Sequence, residues 1–167
     1  MLQTTNLLIK PLTETELELY YKSPSELAYS LGFSDVDTSL DDELKQILEE
    51  QFLPKLREGA SEYLFYTLWL IVLKTTHEVV ASICFHSAPQ EGLVEIGYGT
   101  TSCYQGKGYI TEAIQAIASW CKQRPDIKTL VAEVEDNNVA SMRVLIKSGF
   151  KSVERREELN VFVLAVE

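Results

Sequence analysis

The sequence has little of what staples or metallates a small protein: three cysteines and two histidines among 167 residues. Cys84, Cys103 and Cys121 are odd in number, widely spaced and without a CxxC pair, which argues against a disulfide framework. A reduced, cytosolic interior fits that usage best, and only Cys103, beside a glycine-rich turn, leaves a reactive thiol open. His77 and His86 are isolated and suggest no metal site. Cations are also scarce, with 15 Lys and Arg against 25 Asp and Glu, a net charge of -10. That deficit argues against binding a nucleic-acid backbone, whose phosphates demand cations. It suits a cationic partner, or it is simply the surface of a soluble acidic protein. The opening MLQTTNLLIK lacks a basic segment followed by an apolar core, so no secretory leader is expected. The most apolar stretch, Leu64 to Leu73, is too short to span a bilayer. A soluble cytoplasmic chain with no membrane partner is the expectation.

Hydrophobic residues make up 46% and aromatics 10% of the chain, well above disordered compositions. The length fits one domain over residues 1–167, able to bury roughly 70% of its unfolded surface. Leu7 to Lys10 reads as a short strand ended by Pro11. Thr13 and Glu16 form a capping box for a first helix. Ser23-Pro24-Ser25-Glu26 opens a second, with Gly32 as its stop. Leu44, Ile47, Leu48, Phe52 and Leu56 fall on one helical stripe, kinked or shortened by Pro54. Three strands follow, Tyr66 to Lys74, Val79 to Phe85 and Leu93 to Thr100, joined by short turns as an antiparallel meander. Ile110, Ala113, Ile114, Ile117, Ala118 and Cys121 then mark an amphipathic helix whose stripe must be buried. A strand at Thr129 to Val134, a helix at Asn138 to Ser148 and a hairpin of Lys151 to Arg156 with Val161 to Val166 complete the chain. The fold class is α+β: a meander, then strand–helix–strand–helix–strand.

The segment richest in chemistry is Tyr104-Gln105-Gly106-Lys107-Gly108-Tyr109, between a strand and the periodic helix. Glycines let backbone N–H groups approach a ligand closely. The helix start adds unsatisfied donors and the positive end of a dipole, which suits a pyrophosphate, and Lys107 can add charge. The dipole itself is worth only about 0.3–1 kcal/mol, so several N–H groups must act together. The same turn would also serve as a plain connection. Neither a P-loop nor a dinucleotide fingerprint fits: Gly108 follows Lys107 where serine or threonine is needed, and neither glycine pair is completed by a third glycine three residues on.

Gln105-x-x-Gly108 at a helix start resembles the coenzyme A signature of the GNAT acetyltransferases, Gln or Arg-x-x-Gly-x-Gly or Ala. Glu95-Ile96-Gly97-Tyr98 and Gly106-Lys107-Gly108-Tyr109-Ile110-Thr111-Glu112-Ala113 resemble the branch that acetylates N-termini of ribosomal proteins. Asn138-Val139-Ala140-Ser141 with Lys147-Ser148-Gly149-Phe150 is similar to that branch's second motif, and Leu7-Leu8-Ile9-Lys10-Pro11-Leu12-Thr13 to its opening strand. Three positions depart from the pattern: Ile110 replaces a small residue, Leu145 stands where many members carry an acidic tyrosine, and Asn6 replaces the usual arginine.

The resemblance implies the acyl-CoA N-acyltransferase fold, a mixed, mostly antiparallel sheet of six or seven strands splayed beside Leu93–Thr100, with helices on both faces. It implies acetyl-CoA as co-substrate and no metal. Backbone at Tyr98, Gly99 and Thr100 would bond the pantetheine arm, and Gln105, Gly106, Lys107, Gly108, Tyr109 and Ile110 the pyrophosphate. Asn138 would bond the pantetheine or cap its own helix. Ser141 would protonate the departing thiolate, or be a small polar helix residue. Glu95 would be the general base, directly or through water, or a solvated strand residue. The implied reaction moves an acetyl group to a primary amine in a ternary complex. A peptide or protein N-terminus, including one on a basic protein, is the first acceptor class. A small amine or polyamine is the second, and a catalytically silent acyl-CoA-binding module the alternative. Nothing in the sequence chooses between a monomer and a homodimer.

Overall fold

β3, Leu68–Leu73, has the sequence LWLIVL and is buried at all six positions, so it must be covered on both faces. The computed structural model, which describes residues 1–34 and 42–167, covers it with helices on each side of one sheet. β1 (Leu2–Gln3) and β2 (Leu7–Pro11) precede β3, and β4 (Val79–Phe85) and β5 (Leu93–Thr100) follow it. β6 (Thr129–Glu135), β7 (Lys151–Arg156) and β8 (Leu159–Ala165) complete the sheet. The strand order is β1-β2-β3-β4-β5-β6-β8-β7, and β5–β6 is the parallel pair among otherwise antiparallel neighbours.

Side chains alternate along β3 between two cores. Trp69, Ile71 and Leu73 join α5 (Tyr109–Cys121) and α6 (Val139–Lys147) on one face. Leu68, Leu70 and Val72 join α1 (Glu14–Lys22), α2 (Pro24–Leu31) and the segment from α3 (Asp42–Ile47) to α4 (Leu53–Arg57) on the other. The expected stripe of α5 is buried, with Ile110, Ile114 and Ile117 at 7%, 0% and 0% exposure. Each such side chain contributes roughly 1.5–3 kcal/mol on burial. The capping box also forms: Thr13 N donates to Glu16 Oε2 at 2.8 Å, and Glu16 N to Thr13 Oγ1 at 3.3 Å.

Three details differ from the sequence reading. The sheet has eight strands, because Leu2–Gln3 adds a short edge pairing with Leu8 and Ile9. Two residues are too few to show an alternating pattern. β2 runs one residue further than Lys10, with Pro11 as its last residue, opposite Trp69. The pairing of β1 stops at Ile9, so no neighbour there requires the N–H that proline lacks. Near Pro54 the third helical segment does not stop; it passes through a π turn over Leu48–Phe52 into α4, with Leu53 N–H bonded to Leu48 O. One extra residue per turn accommodates the missing donor and the ring.

Candidate active site

The strands on either side of the proposed thioester gap part company early. β5 pairs with β6 over Leu93–Glu95 against Thr129–Val131. On its other side β5 stays paired with β4 from Ile96 to Thr100, while β6 continues with β8 as far as Glu135. Beyond Glu95 and Val131 the sheet therefore splays, with Ile96–Thr100 forming one wall and Ala132–Glu135 the other. A strand edge of this kind offers backbone N–H and C=O groups to the amides of an extended ligand.

The β5 wall leads into the glycine turn. Gly106 and Gly108 have φ of 74° and 85°, the left-handed region that side chains resist. Gly108 is the N-cap of α5 and no side chain caps that end, so the first-turn N–H groups are not satisfied by capping. Lys107 Nζ lies 4.8 Å from the Tyr104 ring centre, and Gln105 Nε2 reaches Thr100 O at 3.4 Å. Glu112, the acid in the first turn of α5, is bound by Asn6, whose N and Nδ2 donate to its two oxygens at 3.0 and 2.9 Å. Burial pushes the Glu112 carboxyl up, but bonds from Asn6 and Thr4 outweigh it and hold the group below its ordinary value. Asn6, just before β2, thus ties the start of that strand to α5.

On the α5–α6 face, Tyr98 Oη lies 2.6 Å from Ser141 Oγ and donates to Ser141 O at 3.2 Å. Burial raises the Tyr98 phenol above its ordinary value, and the bond to Ser141 offsets only part of that. Ser141 sits in the first turn of α6, its N–H held by Asn138 Oδ1 at 3.0 Å. The structure therefore uses Asn138 as a helix cap. Ile110 has its side chain in the core, so only its backbone can face a ligand.

The opposite face of β5 carries a second pair. Val94 and Ile96 join the α5–α6 core, so Glu95 and Gly97 point to the α1–α4 side. Glu95 Oε1 lies 3.0 Å from His86 Nδ1, and both side chains are about one third exposed, at 34% and 38%. The bond to Glu95 raises the His86 pKa, against an opposing effect of burial, with additional help from the charges of Glu95, Glu43 and Glu133. A Cβ built on Gly97 would lie 2.8 Å from His86 Nε2, so the imidazole packs directly over that glycine. The fold thus joins Tyr98 to Ser141 and Glu95 to His86, but sets Glu95 and Ser141 on opposite faces of one strand. His86 was not among the residues expected from sequence. The β4–β5 register, continued one step from Phe85 opposite Ile96, would have placed it across from Glu95. The structure bonds His86 N to Glu95 O at 3.0 Å.

Residues 6–151 match the acetyltransferase (GNAT) domain family, so this chain belongs to the GNAT acetyltransferases. It is 36% identical over 83 residues to the uncharacterized N-acetyltransferase YjdG of Bacillus subtilis (strain 168), a match spanning 49% of each chain. The region matched thus spans about half the length of that relative. It is also 25% identical over 154 residues to the uncharacterized N-acetyltransferase YoaA of the same organism, covering 90% of this chain and 82% of YoaA. The fold matches that of ribosomal-protein-S5-alanine acetyltransferase from Vibrio fischeri, with a TM-score of 0.71 at 16% identity, covering 99% and 96% of the two chains. It also matches RimL, a ribosomal L7/L12 α-N-protein acetyltransferase solved with coenzyme A, with a TM-score of 0.66 at 17% identity over 97% and 95%. No described helix is long and apolar enough to cross a membrane.

Proposed function

We propose that this chain transfers the acetyl group of acetyl-CoA to a primary amine, with a peptide α-amine as the preferred acceptor. The observation that carries the reading is the splay between β5 and β6, opening beside an uncapped helix start in a GNAT chain. Backbone at Tyr98, Gly99 and Thr100 would bond the pantetheine arm. The turn from Gln105 to Ile110 would hold the pyrophosphate through N–H groups, with Lys107 adding charge. Asn138, with Oδ1 committed to its cap, would offer its amide N–H to the same arm.

The chemistry needs an amine without its proton and a leaving thiolate that gains one. The amine nitrogen attacks the thioester carbon, and the tetrahedral centre collapses by breaking the carbon–sulfur bond. Ser141 would donate its hydroxyl proton to the thiolate. Either oxygen can donate in the 2.6 Å contact between Tyr98 Oη and Ser141 Oγ; with the tyrosine as donor, the serine hydrogen would be free to turn towards the thiolate. Glu95 provides negative charge on the opposite side of the strand, where an incoming cation would approach.

Acceptor choice rests on proton chemistry and on the relatives. A peptide α-amine has a pKa near ~8 against ~10.4 for a lysine side chain, so near neutrality it is deprotonated more often by roughly two orders of magnitude. Two proteins of like fold are ribosomal-protein acetyltransferases. The acidic face with Glu95 and Glu133 favours small amines and polyamines as a second acceptor class. Steady release of free thiol from acetyl-CoA with a panel of peptides and amines tests the reading. Acetyl-CoA that binds but yields no thiol with any amine would leave a binding module and overturn it.

A further inference from the structure

Glu95 reaches only one of the two nitrogens of His86. The carboxylate oxygen accepts from Nδ1, so in the neutral ring Nδ1 carries the hydrogen and Nε2 keeps its lone pair. That nitrogen packs over Gly97, two residues beyond the last β5–β6 pairing, at the mouth of the splay. Gly97 is not in the left-handed region, so contact with the imidazole, rather than backbone strain, is what excludes a side chain there. The imidazole is 38% exposed, open enough for a solute to reach.

Resting on the acetyl-transfer reading above, we propose that His86 Nε2 accepts the proton of the acceptor amine. Glu95 is then a positioning residue, fixing the tautomer and ring orientation. The amine nitrogen forms its bond to the thioester carbon as its N–H bond breaks and the proton passes to Nε2. The carbon–sulfur bond gives its electrons to sulfur, which takes a proton from the Ser141 side. Acid and base thus stand on opposite faces of β5, so the two proton transfers use separate groups. The charged groups acting on the imidazole are Glu95 from β5, Glu133 from β6 and Glu43 from α3, and Cys84 from β4 shares the space over Gly97. The three carboxylates favour its charged form, so the base holds a proton firmly once taken.

The test is the pH dependence of kcat for wild type, His86→Gln and Glu95→Gln, with two acceptors whose own amine pKa values differ. Acetyl-CoA affinity is followed in parallel by calorimetry. The wild type should show an acid limb at the same pH with both acceptors. Glu95→Gln should move that limb to lower pH. His86→Gln should abolish it and lower kcat about 10²–10⁴-fold, with acetyl-CoA affinity unchanged. A limb that tracks the acceptor, persists in His86→Gln or stays put in Glu95→Gln would overturn the assignment of His86 while leaving acetyl transfer standing. Glu95→Gln reads the proposal with His86 itself intact. No turnover by the wild type with any amine would instead overturn the acetyl-transfer reading and this assignment with it.

Discussion

Tyr98 Oη and Ser141 Oγ lie 2.6 Å apart, linking the strand wall of the splay to the first turn of α6. Tyr98 was expected to matter through its backbone, and its side chain now has a partner as well. Replacing Ser141 with alanine should lower kcat about 10²–10⁴-fold, the range for a positioned acid. Tyr98→Phe should lower it less, since Ser141 keeps its own proton. Acetyl-CoA affinity should be unchanged in both. A Ser141→Ala rate within about twofold of wild type, set against that range, would remove Ser141 as the acid.

Gly108, with φ of 85°, opens α5. Gly108→Val should abolish the thermal stabilisation that acetyl-CoA gives by mass action. A β-branched residue at that φ costs on the order of 1–3 kcal/mol, so circular dichroism should confirm that the variant still folds. A thermal shift equal to wild type would move the pyrophosphate away from this turn.

Gly97 lies on the wall of the β5–β6 gap, and its missing side chain admits His86. Gly97→Ala puts a methyl carbon 2.8 Å from Nε2. The imidazole must swing away, which His86 can do at small cost in stability because it is half-exposed. Turnover should fall towards that of His86→Gln while the melting temperature changes little.

The capping box gives a stability prediction. Burial would raise the Glu16 carboxyl, but bonds from Thr13 and Lys10 outweigh it and hold its pKa below the ordinary glutamate value. A depressed folded-state pKa means stability present above the unfolded value and lost as pH falls through the folded one. Glu16→Gln keeps an N3 acceptor for the Thr13 N–H but loses the Lys10 ion pair, so it should lose roughly 0.2–1 kcal/mol at neutral pH and flatten the acid side of the stability curve. Chemical denaturation at neutral and acid pH checks both parts.

Much of this was legible in the chain because period and punctuation agreed. The α5 stripe, the Thr13–Glu16 box and the Gly106–Gly108 turn each announce themselves within a few residues. Edge strand β1 did not, since two residues carry no period. The π turn at Leu48–Phe52 escaped because proline signals disruption without saying which way the helix yields. His86 escaped for a different reason: its partner is nine residues away, across a hairpin. Only the register of β4 on β5 brings the two together. Glu95 was legible as a charge on a strand, but its face and its partner were tertiary facts.

The central claim is transfer of acetyl to a free α-amine. The most direct measurement offers the protein acetyl-CoA and two basic peptides of one sequence, one with a free N-terminus and one blocked, and locates the added acetyl group by mass spectrometry. The account predicts acetyl on the N-terminal nitrogen of the free peptide and no product from the blocked one. Equal acetylation of both peptides, on side-chain amines, would contradict it.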